Sequence, residues 1–398
     1  MNYDFTSISD RRKIGSRKWA IVPEEIDPLS DKLYPMTVAD MDFDLAPEIR
    51  TALIDFVSHN VLGYSAMTES YKQAVCNFLE KWHKVCIEPE WIVSTPGLVP
   101  ALSACVRAFT QVGDGVLVFT PVYPRFYQVI REQGRKLVDC PLEIAQDGLY
   151  HFDFANLESL LETHAVKMIF LCNPHNPSGR VWTASDLQRL AKLAKEYDCL
   201  VVSDEIHADL TLPGNEQTMY FKALADFDEK AIVLTSAAKA FNIAGLQSSN
   251  VLIPRSDLRE KFQAELEASG IQAANILGMY ATEIAYTKAD NWREAVLQVL
   301  QTNYKLLVDF FSELDSRFEV MPTQASFLAW VNCEKLHVDR EQIKAVFMAI
   351  CFFVEDGVSF GEAGSYYFRL NFAMPTEELK ACLQAFSERI SPYLHSVD

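Results

Sequence analysis

Six short apolar runs, set apart by longer stretches several of which carry helical periodicity, constrain this chain more than any other feature. They are Trp91-Ile92-Val93, Val116-Leu117-Val118-Phe119, Lys167-Met168-Ile169-Phe170-Leu171, Leu200-Val201-Val202-Ser203, Ala231-Ile232-Val233-Leu234 and Val251-Leu252-Ile253. A strand buried on both faces loses the in–out alternation of a half-exposed one and becomes continuously apolar. The segments around them have the other period. Pro47 to Asn60 puts Ile49, Leu53 and Phe56 on one helical face, and Ser70 to Lys84 and Ser185 to Tyr197 are amphipathic in the same way. The expected fold class is α/β, a mainly parallel sheet covered by helices on both faces. In such sheets the site lies outside the carboxyl ends of the strands.

The residues standing at those ends are therefore the candidates. After the first run comes the turn Gly97-Leu98-Val99, opening a helix whose free N–H groups suit a phosphate. Tyr123, Asn176 and Asp204 each follow a strand, and the Ala231 run leads to Ser236 and Lys239. Alone, each has an ordinary structural explanation: cap, core aromatic, turn residue, solvated amine. Together they offer an amine that can form an imine with an aldehyde, a carboxylate to hold a heterocyclic nitrogen protonated, and an aromatic face. Asn176 adds a donor for a phenolic oxygen, and Gly97, Leu98, Val99 and Ser236 a phosphate cradle. Those are the chemical handles of pyridoxal 5'-phosphate. A lysine in such apolar surroundings is expected to have a lowered pKa, which makes it nucleophilic.

The remainder of the chain is read more coarsely. A length of 398 residues allows a large core and two domains. A net charge of -18 argues against a nucleic-acid or anionic-membrane surface. Met1-Asn2-Tyr3-Asp4-Phe5 lacks the pattern of a signal peptide, and the longest apolar run, Ala345 to Val354, is too short to span a bilayer. Nine dispersed cysteines without a Cys-x-x-Cys pair read as reduced thiols of a cytoplasmic protein and indicate no disulfide frame and no metal site. Pro23, Pro28 and Pro35 give the first residues the character of an arm. Asp40 and Asp42, framed by apolar residues, read as aspartates capping a turn rather than as a catalytic pair or metal half-site. A helical stretch from about Asn275 to Asp315 precedes a smaller α+β region with strands at Phe327–Val331 and Phe368–Phe372 and a helix from Arg340 to Cys351. The expected division is 1–46 as an arm joining the small domain, 47–285 as the large domain and 286–398 as the small one.

Over almost its whole length the sequence resembles the fold-type I pyridoxal-phosphate enzymes of the class I/II aminotransferase group. The resemblance is carried by Asn173-Pro174-His175-Asn176-Pro177-Ser178-Gly179, Ser203-Asp204-Glu205-Ile206-His207 and Ser236-Ala237-Ala238-Lys239, with 35 residues from Asp204 to Lys239. Val38-Ala39-Asp40-Met41-Asp42-Phe43, the turn at Gly97 and His207 point to the cystathionine β-lyase or cysteine-S-conjugate β-lyase branch; most aminotransferases carry tyrosine at the position of His207. The resemblance implies that Lys239 holds the cofactor and moves the Cα proton, and that Asp204 partners the ring nitrogen. It implies that Asn176 and His207 contact the ring hydroxyl, that Tyr123 stacks on the ring, and that Gly97, Leu98, Val99 and Ser236 hold the phosphate. Tyr64 resembles a tyrosine that reaches the phosphate from a neighbouring subunit, so a homodimer is implied. Arg369 resembles the arginine that binds the substrate α-carboxylate, with Ala39, Asn176 and Tyr123 beside it.

Several positions depart from the branch. Ala238 and Ala240 flank the lysine in place of serine and threonine, Gln247 stands where many aminotransferases have arginine, Thr37 where tryptophan is common, and Arg125 where a second proline is common. The expected reaction is α,β-elimination from L-cystathionine or a related cysteine thioether, giving a thiol, pyruvate and ammonia. An aminotransferase shares every cofactor residue and is the alternative; a cofactor-holding regulatory or binding protein is the third reading.

Overall fold

A computed structural model describes residues 3–20 and 33–394; Pro23 and Pro28 lie outside the described residues. The strands of the large sheet are β1 (Ile92–Thr95), β2 (Gly115–Thr120), β3 (Lys136–Ile144), β4 (Tyr150–Phe152), β5 (Val166–Cys172), β6 (Leu200–Asp204), β7 (Ala231–Thr235) and β8 (Ser249–Leu252). Their spatial order is β1-β8-β7-β6-β5-β2-β3-β4. Strands β7, β6, β5, β2 and β3 are parallel, and β1 runs the same way because it and β7 are both antiparallel to β8. β4 is antiparallel to β3.

The continuous apolar character of these strands has the expected cause. In β2, Leu117 and Phe119 pack into one core while Val116 and Val118 pack into another on the opposite face. Ile169 and Leu171 of β5 divide from Met168 and Phe170 in the same way. These two central strands are thus buried on both faces, whereas β3 alternates between exposed and buried residues. The order also contains a reversal. From β2 the chain moves outward to β3, whereas from β5 it moves the other way through β6 to β7. The crevice between β2 and β5 is thus a topological switch point, where the two following loops diverge and leave room for a ligand.

The second sheet is antiparallel and lies late in the chain: β9 (Glu319–Val320), β10 (Leu328–Asn332), β11 (Glu355–Asp356) and β12 (Tyr367–Asn371), in the order β9-β10-β12-β11. The N-terminal arm joins it. Tyr34–Pro35 pairs in parallel with Phe352–Phe353, and Asn371 N donates to Met36 O at 2.8 Å.

Within the mainly parallel sheet β8 is antiparallel to both neighbours, which the apolar tripeptide Val251-Leu252-Ile253 does not announce. One expectation needed revision. The single helical stretch is two helices, Ile276–Lys288 and Asp290–Leu314, broken at Ala289 with φ −103° and ψ 13°. No proline or glycine marks the break. It is fixed from outside, by Asp290 accepting from Trp82 Nε1 at 2.8 Å and from Lys81 Nζ at 2.5 Å. Among the described residues no helix is long and apolar enough to cross a membrane.

Candidate active site

A cavity of about 740 Å³ opens at the carboxyl ends of the parallel strands. Gly97, Leu98, Val99, Tyr123, Asn176, Asp204, His207 and Lys239 line it from the large-sheet side. Ala39 of the arm and Arg369 of β12 line it from the other side. Two named candidates stand apart. Ser236 lies behind the wall, its hydroxyl donating to Ser248 O at 2.7 Å and accepting from Ala238 N at 3.1 Å. Tyr64 is wholly exposed on the loop after the helix Pro47–His59. A second cavity of about 690 Å³ surrounds His83, Asp209 and Arg293, but none of the strand-end candidates lines it.

Lys239 is presented by the loop after β7. Asn242, with φ +55°, turns that loop and ties it to the arm, accepting from Met41 N and donating to Met41 O and Phe43 O. Lys239 Nζ donates to Ala39 O at 2.6 Å. Burial pushes its amine down to about 8, with Arg369 acting in the same sense and Asp40 and Asp204 against it. Asp204 is the counterpart. Burial raises its carboxyl to about 6, opposed by the Ile206 N–H at 3.2 Å and by Lys239. The site therefore holds a carboxylate that lacks a close cation and an amine that sheds its proton easily.

His207 is kept neutral: burial, then Lys239 and Arg369, push it down to about 3. Its Nδ1 shares a 3.1 Å hydrogen bond with Ser326 Oγ. Tyr123 precedes the helix Pro124–Glu132, and burial raises its phenol. Arg369 is buried; it donates to Asn176 Oδ1 at 3.0 Å and to Thr37 O at 3.2 Å, and lies over the Phe360 ring at 4.9 Å. Glu355 of β11 is 3.8 Å away. The Arg369 Nε remains buried without a hydrogen-bond partner.

The turn after β1 completes the wall. Gly97 has φ +107° and ψ 164°, a conformation open to glycine alone, and begins the helix Leu98–Phe109. No side chain caps that helix, so its first N–H groups and the positive end of its dipole face the cavity free of competition.

Asp40 and Asp42 are not capping aspartates. Arg11 and Lys18 engage both, Lys18 Nζ lying 2.9 Å from Asp42 and donating to Asp40 O at 3.2 Å. They fasten the arm. Sequence reasoning also missed Glu355, Ser326, Phe360 and Arg17 as wall or supporting residues. No local pattern marks them, since each reaches the site only through the packing of the arm and small sheet.

The donor set fits pyridoxal phosphate on the structure's own terms. A readily neutralised amine suits the aldehyde, a buried carboxylate with one backbone partner suits a protonated ring nitrogen, and an uncapped helix start suits the phosphate. Among the described residues no group of three His, Cys, Asp or Glu is placed to hold a metal.

Comparison with known proteins agrees. The family described as aminotransferase class I and II matches residues 31–386. Cystathionine beta-lyase PatB of Bacillus subtilis is 35% identical over 392 residues, covering 98% of this chain and all of that protein. Cystalysin from Treponema denticola, whose crystal structure contains pyridoxal 5'-phosphate, superposes with a TM-score of 0.95 at 33% identity, covering 99% of this chain and 100% of its own. The PLP-bound C-S lyase from Staphylococcus hominis gives 0.89 at 30% identity, covering 98% of this chain and 99% of its own.

Proposed function

Since the chain belongs to the aminotransferase class I and II family, we propose that it is a pyridoxal-phosphate-dependent carbon–sulfur β-lyase, cleaving L-cystathionine or a related cysteine thioether. The observation that carries the reading is the convergence of Lys239, Asp204 and Arg369 on one cavity. The names of the similar proteins favour a lyase over an aminotransferase.

Lys239 would hold the cofactor through its aldehyde, Asp204 its ring nitrogen, Tyr123 its ring face, and Asn176 and His207 its ring hydroxyl. Gly97, Leu98 and Val99 would hold the phosphate through the uncapped helix start, with Ser236 as a further candidate. When bound, the cofactor supplies an aldehyde for the substrate amine and a ring that draws off the electron pair left at Cα. Arg369 binds the substrate α-carboxylate through its fork, beside Ala39, and so fixes the orientation of the Cα–H bond. Lys239 Nζ, which its lowered pKa lets give up its own proton readily, takes the proton from Cα. Asp204, a buried carboxylate with no close cation, would favour the protonated form of the ring nitrogen it faces. Proton loss at Cα and thiolate loss at Cβ leave a product that hydrolyses to pyruvate and ammonia.

The proposed assembly is a homodimer in which Tyr64 reaches the phosphate of the other copy; its complete exposure supports this. The proposed compartment is the cytoplasm, supported by nine free thiols.

The test is pyruvate release from L-cystathionine, with amino transfer to an added keto acid as control. We expect pyruvate, and a loss of several orders of magnitude in Lys239→Ala together with the cofactor's absorbance band. Amino transfer without pyruvate would replace the lyase with an aminotransferase.

A further inference from the structure

The cavity carries more positive charge than the proposed reaction uses. Its ionised lining side chains are Arg17, Arg125, Lys239 and Arg369 against Asp204 and Glu355, in a chain whose net charge is -18. Lys239 and Asp204 belong to the cofactor, and Arg369, with Glu355 as its neighbour, to the α-carboxylate. Arg17 and Arg125 are left over. Arg125 sits in the first turn of the helix Pro124–Glu132, where a cation opposes the helix dipole and gains nothing from it. Its Nη1 donates to Gln128 Oε1, a neutral acceptor, at 2.5 Å. Among the described residues no carboxylate pairs with Arg125 or Arg17. Both line the cavity with Arg369 and act on the Tyr123 phenol in the same sense.

We propose that Arg125, assisted by Arg17, binds a second carboxylate at the far end of the substrate, so that the enzyme selects cysteine thioethers whose leaving thiol is itself an acid. This rests on the lyase reading and narrows it. A leaving group ending in an amino acid presents a carboxylate several bonds beyond sulfur; a simple S-alkyl group presents nothing. A guanidinium recognises the former by charge and paired hydrogen bonds.

The experiment compares L-cystathionine with S-methyl-L-cysteine as pyruvate donors, for the parent and for Arg125→Ala, Arg125→Lys and Arg17→Ala. Alongside, calorimetry measures binding of the all-carbon analogue of cystathionine, in which a methylene replaces sulfur. Arg125→Ala should lower the cystathionine-to-S-methylcysteine ratio of kcat/KM by about tenfold, mainly through KM, the size expected of one partly exposed charge contact. It should weaken the analogue by a similar factor. Arg17→Ala should do less, and Arg125→Lys should restore part of the ratio. An unaltered ratio with unaltered analogue binding overturns the proposal. So does loss of cofactor on dialysis of Arg125→Ala, which would give that arginine to the phosphate. If neither thioether yields pyruvate the lyase reading fails by itself, and analogue binding still decides the role of Arg125.

Discussion

Lys239 carries a conflict between charge and burial that the proposed catalysis would use and that is costly to the fold. Its amine titrates near 8 instead of 10.5. Between those values the unfolded chain binds the proton more readily than the folded one, so stability of the cofactor-free protein rises with pH across that window. Below pH 8 both states are protonated and the full cost is present. Lys239→Met should therefore stabilise the cofactor-free protein by roughly 2 kcal/mol at pH 7, with the gain shrinking toward pH 10. Urea unfolding at the two pH values measures this; an equal gain at both would mean that the amine is not the source. The lysine, Asp204, Asn176 and Tyr123 were legible in the sequence because each follows an apolar run directly. Glu355 and Ser326 were not, because strand pairing at Arg369 and a contact to His207 place them, and neither leaves a local pattern. Asp40 and Asp42 were misread for the same reason: their partners Arg11 and Lys18 are distant in sequence.

At the scale of elements, the turn between β1 and the helix Leu98–Phe109 joins backbone geometry to ligand binding. The glycine at 97 was visible in the sequence; its φ of +107° explains why it must be glycine. A Cβ there would meet only Pro100 Cδ at 3.9 Å, so crowding is not the obstacle. Gly97→Ala should cost about 1–3 kcal/mol through the backbone conformation alone. The turn would relax by rotating the N–H groups of Leu98 and Val99, so cofactor should also be lost faster on dialysis. Thermal unfolding together with absorbance after dialysis separates the two effects; normal retention in a destabilised protein would remove the turn from the phosphate site. The parallel core was legible because both-face burial writes itself into composition. The reversed β8 and the break at Ala289 were not, since each is decided by partners outside its own segment.

For the whole molecule the question is what covers the surface near Tyr64. The helix Pro47–His59 was expected to carry Ile49, Leu53 and Phe56 on one face; Ile49 is buried, Leu53 is half-buried against the core, and Phe56, also half-buried, lies 4.5 Å from the Tyr280 ring. The same stretch leaves Ile54 63%, Val57 50%, Val61 87%, Leu62 55% and Tyr64 102% exposed. Single exposed apolar residues are ordinary, but five within eleven positions make a patch of the kind that marks an interface. A second copy fits because the reading of Tyr64 needs a neighbouring phosphate for it to reach. Two chains of net charge -18 repel each other, so apolar contact must dominate the association. Val61→Asp combined with Leu62→Asp should convert the proposed dimer to a monomer in sedimentation velocity and release cofactor with it. Tyr64→Phe should remain dimeric while holding cofactor less well, because it keeps the apolar ring and removes only the hydroxyl. If the doubly charged variant sediments as the parent does and retains its cofactor, the patch is not the interface and the tyrosine has no partner site to serve.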